Sequence, residues 1–398
     1  MTDTIPFGRL VLLAALVILL ALLAGRLTAR IKIPAPLLVL SAAAIGVQVI
    51  PSWDAPSEQT VERVVTLALV CILFDGGIGM GWSKFRRTAA PITVVGVVGT
   101  FLTVAGIGLF IHVAIGLSWY LALLVATAIS PTDPAVVFSV LGQREISGRS
   151  GTILEGESGA NDPVGIALMA SLIAAGGVGA GAFAHIAGAF ALQMGVGALV
   201  GAVSAYALAW FLRSVTLPSE SLYPLRTTAC AFIVFGVATV AHGSGFLAVF
   251  VAGILLGDVE GPHKREIVRF HSALASLAEV VAFLVLGLTV KLPELAHLDV
   301  WLPGVVIGIV LAVVVRPIAV ALCLSRAGLG RAEQAFVMFA GLKGAVPILL
   351  GTFILSSHAP EAERLYGIVI VVVVVSVLVQ GSFTPSVAER LGVTEPAS

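Results

Sequence analysis

The chain alternates long apolar runs with short polar interruptions, and the runs are of nearly constant length. Windows of about 20 apolar residues, enough for one helix to cross the ~30 Å hydrocarbon core of a bilayer, fall at 8–27, 34–50, 63–81, 91–116, 118–141, 151–175, 187–213, 223–242, 244–258, 272–291, 300–324, 332–357 and 366–388. These are thirteen candidate transmembrane helices, and the split between the eighth and ninth is the weakest boundary. Two runs are interrupted at mid-length by helix breakers: the fifth by AISPTDPAVV, with Pro131 and Pro134, and the twelfth by AGLKGAVPIL, with Gly341, Gly344 and Pro347. Proline removes a backbone donor and glycine carries a large entropic cost in a helix, so both runs should unwind inside the membrane. The fifth of segments 1–6 corresponds to the fifth of segments 8–13, an offset of seven, and an odd offset inverts the second copy. The pattern predicts an all-α integral membrane protein forming one transmembrane domain over residues 1–398. Two inverted repeats, about 8–175 and 223–388, are joined by a linker helix at about 187–213. The crossed discontinuous helices meet near the midplane, as in secondary transporters. Residue identity between the halves is not evident, so the repeat rests on breaker position and topology.

Composition strengthens the membrane reading. The chain is 59% hydrophobic and 11% charged, with a mean hydropathy of +1.09, where a soluble domain carries about 25% charged residues. Fifteen of the 22 basic residues (Arg26, Arg30, Lys32, Lys84, Arg86, Arg87, Arg144, Arg149, Arg213, Lys264, Arg265, Arg269, Arg326, Arg331 and Arg390) fall on one side of the predicted topology. Basic residues are retained in the cytoplasm, which places the N-terminus outside and the C-terminus inside a cytoplasmic membrane. The flank MTDTIPFGR is nearly neutral and the basic residues follow the first apolar run, so a retained helix is expected rather than a cleaved signal peptide. Cys71, Cys230 and Cys323 lie in apolar segments without metal-ligand spacing and are expected to be packing residues. The net charge is zero and no basic block occurs, which argues against a nucleic-acid partner, and the tail after the last span is too short for a regulatory domain.

Against this background the ionisable residues at membrane depth stand out, because each costs about 2.5–3.5 kcal/mol on the mildest scale and is usually paired or functional. They are Asp75, Asp133, Glu155, Glu157, Asp162, Glu279, Arg316 and Lys343. In GESGANDPVG (156–165), Glu155, Ser158 and Asp162 share one helical face, while Glu157 and Asn161 form an i, i+4 pair on the next. The first face offers oxygens to a cation; the alternative is that Asp162 caps a helix starting at Pro163. Asp133 has the same two readings, cap and ion-site wall, and the unwound backbone at Thr132 would supply hard carbonyl oxygens suited to alkali cations. Arg316, always protonated, requires a carboxylate; Glu157 is the most economical partner, with Asn161 as a further acceptor. Lys343, at the second break, is expected to offset the negative ends of the half-helices. Asp75 and Glu279 occupy corresponding third positions of the repeats, where the alternatives are lining a funnel or pairing locally. Arg226 is expected to snorkel to the interface.

These residues resemble NhaP-type monovalent cation/proton antiporters over nearly the whole chain. The family's ESxxND pattern appears as ESGAND (157–162), its unwound element as SPTDP (130–134) and its GLRGAVP element as GLKGAVP (341–347), with Lys343 where arginine is common. ILFDGG (72–77) and AFLVLGL (282–288) are similar to the potassium/proton branch. The resemblance implies a NhaA/NhaP-like fold and a homodimer in the lipid bilayer, with a moving core domain and a static interface domain. It also implies a transported-ion site of Asp162, Asp133, Ser158 and Thr132, supported by a charge network of Glu157, Asn161, Arg316 and Lys343. No cofactor is implied beyond the transported ions, H⁺ and Na⁺ or K⁺. One titrating site, with asparagine rather than a second carboxylate at 161, predicts electroneutral one-for-one exchange. Two rivals exist. GESG (156–159) and AHGSG (241–245) match rhomboid-protease motifs and permit a Ser158–His242 dyad on paper; it would leave Asp133, Asp162 and Arg316 without a purpose. An ion channel on the same fold would need a continuous polar path that the apolar segment ends do not offer.

Overall fold

The computed structural model describes residues 34–49, 56–141, 145–146 and 148–395, together with the isolated positions 8, 12, 15, 16 and 19. Apart from those positions the first predicted span, 8–27, lies outside the described residues, as do Arg9, Arg26, Arg30, Lys32 and Arg144 of the basic set. Each of the following twelve apolar segments falls on a helix or a broken helix. The first is α1, Ala35–Val49. Next, α2 (Glu58–Thr93) runs through a π-helical stretch, Val94–Gly99, into α3 (Thr100–Phe110) and a second π-helical stretch, Ile111–Ile115. As one rod these 58 residues would measure roughly 87 Å, far more than a bilayer. The chain instead reverses at Gly81, whose φ of 64° and ψ of 162° belong to a region that glycine alone enters freely. Two antiparallel legs result, matching the separate segments 63–81 and 91–116.

Both breaks form. Helix α4 (Trp119–Ala128) stops before the prolines and α5 (Pro134–Leu141) resumes after them; α14 (Arg331–Phe339) and α15 (Ala345–Ser356) flank the glycines of the second break. In between come α6 (Ser150–Ala175), α7 (Ala180–Ser214), α8 (Leu222–Val240), α9 (Gly245–Gly257), α10 (Lys264–Gly287), the short α11 (Leu292–Leu295), α12 (Leu298–Val310) and α13 (Arg316–Leu324). The last two are linked by π-helical Leu311–Val315. The uncertain split between the eighth and ninth segments is a turn at His242, with φ of 60°, after which the Ser244 hydroxyl accepts from the Leu247 amide at 3.2 Å and starts α9. Finally α16 (Ala362–Val375), π-helical Ser376–Gln380 and α17 (Gly381–Leu391) complete the chain. The two-residue strands β1 (Glu145–Ile146) and β2 (Thr394–Glu395) pair antiparallel, Glu145 opposite Glu395.

Six of the described helices are long and apolar enough to cross a membrane by themselves. The 26-residue α6 is not among them; Glu155, Glu157, Asn161 and Asp162 lower its hydropathy. Exposure sorts the helices by surroundings. Along α7 the side chains of Phe183, Leu199, Tyr206 and Trp210 are exposed, the surface of a helix facing lipid, whereas α6 and α15 are buried over most of their length. The molecule is a multi-pass membrane protein in which a helix carrying Glu157, Asn161 and Asp162 is buried over most of its length.

Helices α2 and α9 approach most closely through glycine. A Cβ at Gly253 would lie 3.1 Å from the Cα of Gly77 and 2.8 Å from the Phe74 carbonyl, and one at Gly257 would lie 2.6 Å from the Cα of Gly81. Small residues four apart let two backbones touch where no hydrophobic effect drives them together. Just beyond, the Ser83 hydroxyl and amide hold Asp258 below its ordinary carboxylate pKa, the amide donating at 2.6 Å. Gly253→Val should therefore overpack this contact and cost about 1–3 kcal/mol, read as a lower melting temperature of the purified protein in detergent. An unchanged melt would show that the helices do not meet at these glycines.

Candidate ion-binding site

Helix α6 is buried over most of its length, and three glycines let its neighbours reach the backbone. Side chains added at these positions would strike Ile92 from Gly156, the Phe250 ring from Gly159 and the Pro131 ring from Gly165. The helix continues through Pro163, so Asp162 is not an N-cap and the capping reading of the ND-P sequence is set aside. Pro163 has no amide to give the carbonyl of Gly159, which leaves that oxygen outside the ladder one turn from Asp162.

The two faces read from the helical period have different surroundings. Glu155, Ser158 and Asp162 line a cavity of about 470 Å³, together with Thr132 and Asp133 from the first break, Asp75 from α2 and Glu279 from α10. Ser158 and Asp162 are 6% and 8% exposed, and the Ser158 hydroxyl lies 3.4 Å from Asp162 Oδ2 as a donor. Asp75 and Glu279, for which the sequence left funnel lining and local pairing open, thus face the same space as Asp162. The α2 wall extends from Leu69 to Lys84, so the cavity reaches the end of the first leg of that helix.

On the other face Glu157 meets Arg316 in a bidentate pair, Nη1 to Oε1 at 2.7 Å and Nη2 to Oε2 at 3.1 Å. Nη2 also donates to the Val337 carbonyl at 3.2 Å. Both side chains are almost fully buried, and a Cβ at Gly341 would overlap the guanidinium. Asn161 departs from its expected part as an acceptor for Arg316. One turn further along α6 it faces the first break, where its Nδ2 donates to Thr132 Oγ1 at 2.8 Å and its Oδ1 accepts from the Thr132 amide at 3.4 Å.

At the crossing the two breaks are joined to each other, the Asp133 amide donating to the Leu342 carbonyl at 2.8 Å. The Asp133 carboxylate accepts from the Ala135 amide at 2.9 Å and also from the amides of Val136 and Ala345, so it sits between the N-terminal ends of α5 and α15. Gly344 is bare because a side chain there would occupy the place of this carboxylate. Lys343, 2% exposed, reaches across to donate to the carbonyls of Ser130 and Pro131 at 3.0 and 3.1 Å. Two residues of the crossing went unremarked in the sequence. Ser376 accepts from the Lys343 amide at 3.2 Å, and Gln380 donates to the Phe339 carbonyl. Their only signal is polarity within the otherwise apolar VVVVVSVLVQ.

Other expectations are corrected. Arg226 does not snorkel; it is 9% exposed, donates to the Val215 carbonyl at 2.7 Å and lies over the rings of Phe211 and Tyr223, closing the C-terminal end of α7. His242 is exposed at the α8–α9 turn, while Ser158 is buried against Asp162, so no serine–histidine dyad forms. The ion pair yields a stability prediction. Arg316→Met should strand a buried carboxylate and cost about 3–5 kcal/mol, whereas Glu157→Gln combined with Arg316→Met should recover most of that loss in thermal melts. Equal melts for the single and double variants would deny the coupling.

Residues 15–390 match the family described as "Sodium/hydrogen exchanger, transmembrane". The chain is 33% identical over 389 residues to the K⁺/H⁺ antiporter NhaP of Alkalimonas amylolytica, covering 97% of this chain and 67% of that protein. It is 30% identical over 406 residues to the K⁺/H⁺ antiporter NhaP2 of Shewanella oneidensis, covering 99% and 69%. The Na⁺/H⁺ antiporter ApNhaP of Aphanothece halophytica is 25% identical over 351 residues, covering 83% and 65%. In fold the chain is similar to the sodium proton antiporter MjNhaP1 of Methanocaldococcus jannaschii, with a TM-score of 0.80, 22% identity and coverage of 98% and 99%. With the motifs, the crossed breaks and these likenesses in agreement, the chain belongs to the sodium/hydrogen exchanger family.

Proposed function

We propose that Asp162 is the carboxylate at which one proton and one alkali cation exclude each other, and that this competition couples their fluxes. Family membership makes the chain a secondary monovalent cation/proton antiporter and not an enzyme. The observation that carries the site reading is the placement of Asp162, Ser158, Thr132 and Asp133 around a single cavity, while Glu157 on the neighbouring face of α6 is held in the buried pair with Arg316. Asp162 and Ser158 supply side-chain oxygens to the ion, with Thr132 and Asp133 from the broken backbone. Lys343 and Asn161 hold the break in shape. A cation or a proton neutralises the carboxylate, and the neutral core crosses the low-dielectric barrier far more readily than the anionic one.

An asparagine rather than a second carboxylate at position 161, engaged by Thr132, supports one-for-one electroneutral exchange. Potassium is the favoured cation, since the two more similar relatives named above are K⁺/H⁺ antiporters; sodium is the other candidate, and no resident cofactor takes part. Alternating access is supported by polar ties at the end of α2 remote from the cavity mouth. There Ser356 donates to Glu62 at 2.5 Å, Thr289 and Tyr366 share a hydrogen bond at 2.5 Å and Lys291 pairs with Glu363 at 2.7 Å. An open channel would lack such a closed end. In the cell the protein is placed in the cytoplasmic membrane with the N-terminus outside, as a homodimer with a moving core of the crossed helices and a static remainder.

Everted vesicles with a pH dye test the reading. Pulses of K⁺ or Na⁺ should release protons in vesicles carrying the unaltered chain and produce only background in Asp162→Asn. Undiminished exchange in that variant would defeat the mechanism. Protons occupy the shared site as pH falls, so below the site's pKa the half-saturating cation concentration should rise about tenfold per pH unit at constant maximal rate. A fall in maximal rate with unchanged half-saturation would indicate separate sites. Clamping the membrane potential in proteoliposomes should leave the rate unaltered, and a dependence on potential would overturn one-for-one stoichiometry.

A further inference from the structure

We infer that Gln380 and Ser376, on the last span, are positioning residues of the ion site, acting on it through Lys343 as the second-half counterpart of Asn161. The inference rests on the antiport reading for its functional meaning but on backbone accounting for its substance. Unwound backbone inside a membrane persists only where every freed N–H and C=O finds a partner in the protein. At the first break, Asn161 on the following span satisfies the Thr132 amide and hydroxyl. At the second, the following span again supplies an amide side chain. Gln380 Nε2 donates to the Phe339 carbonyl, and its Oε1 accepts from the Ser376 hydroxyl at 3.2 Å. That hydroxyl oxygen in turn accepts from the Lys343 amide at 3.2 Å. Both side chains are buried, Gln380 at 5% and Ser376 at 7% exposure. In the chain-order correspondence with an offset of seven, the sixth segment carries Asn161 and the thirteenth carries Gln380.

The π-helical turn Ser376–Gln380 has a part in this. Ser376 and Gln380 are four apart, the spacing at which helical side chains meet, and both bond to the break, at the Lys343 amide and the Phe339 carbonyl. From Lys343 the chain of bonds continues to the first break, because Nζ holds the carbonyls of Ser130 and Pro131, the two residues before Thr132. Neither Gln380 nor Ser376 borders the cavity. Their influence on a bound ion passes through the direction in which Lys343 presents its ammonium, and with it the aim of the Thr132 and Asp133 oxygens.

The test compares Gln380→Leu with the milder Ser376→Ala, using hydrogen–deuterium exchange of the purified full chain and cation-dependence of exchange in proteoliposomes. Gln380→Leu removes the donor to Phe339 and the acceptor for Ser376; Ser376→Ala removes only the acceptor for the Lys343 amide. Faster deuterium uptake is expected in segments 339–345 and 129–134 alike, although the second is more than 200 residues away in sequence. The half-saturating cation concentration is expected to rise at least fivefold, with a smaller change in maximal rate, and Gln380→Asn should restore part of the loss. Uptake altered at 339–345 alone, with 129–134 as in the unaltered chain, would overturn the inference and leave a local structural role. If Gln380→Leu fails to fold, Ser376→Ala decides by the same two segments. Deuterium uptake is read without transport, so absence of exchange by the unaltered chain would defeat the antiport reading separately.

Discussion

Everything in this structure depends on making an unwound backbone tolerable at the middle of a membrane. A free amide or carbonyl in hydrocarbon costs several kcal/mol, and two five-residue breaks side by side expose many. The protein answers with side chains chosen one by one: Asn161 for Thr132, Asp133 for the amides that open α5 and α15, Lys343 for the carbonyls of Ser130 and Pro131 in the first break, and Ser376 and Gln380 for the second break. The breaks also satisfy each other at Asp133 and Leu342. The polar groups that would otherwise be a burden hold the crossing in shape behind the cavity that Thr132 and Asp133 line, and oxygens held in that way are available to a small hard cation.

The buried Glu157–Arg316 pair serves a different end. An ion pair removed from water contributes little net stability compared with an apolar replacement. Its effect is one of placement: it ties α6 to α13, and through the Val337 carbonyl to α14, and thereby fixes which face of α6 turns towards the cavity. Glycine is the complement of this arrangement. At Gly341 and Gly344 the absence of a side chain makes room for Arg316 and Asp133, so GLKGAVP is as much a set of spaces as a set of functional groups.

How a carboxylate in such a setting supports movement follows from the same energetics. With the cavity extending along α2 from Leu69 to Lys84 and polar ties at the Glu62 end, the proposed mechanism gives the molecule one open and one closed side. In the proposed cycle the ties must break for the other side to open, and a neutralised core pays less for the passage than an anionic one. The ties are individually modest, as partly exposed polar contacts are, which suits contacts that have to be remade on every turn.

Much of this was legible in the chain itself. Hydrophobic run length placed the spans from 34 onwards, proline and glycine located both breaks, and the helical period separated Glu155, Ser158 and Asp162 from Glu157 and Asn161, because each of these properties is local and repeats along the sequence. Partner choice was not. That Asn161 bonds Thr132 instead of Arg316, that Arg226 closes α7 instead of reaching for the interface, and that Ser376 and Gln380 belong to the crossing all depend on groups 11 to 41 residues apart. Periodicity determines which way a side chain points, but only packing in three dimensions decides what it finds there.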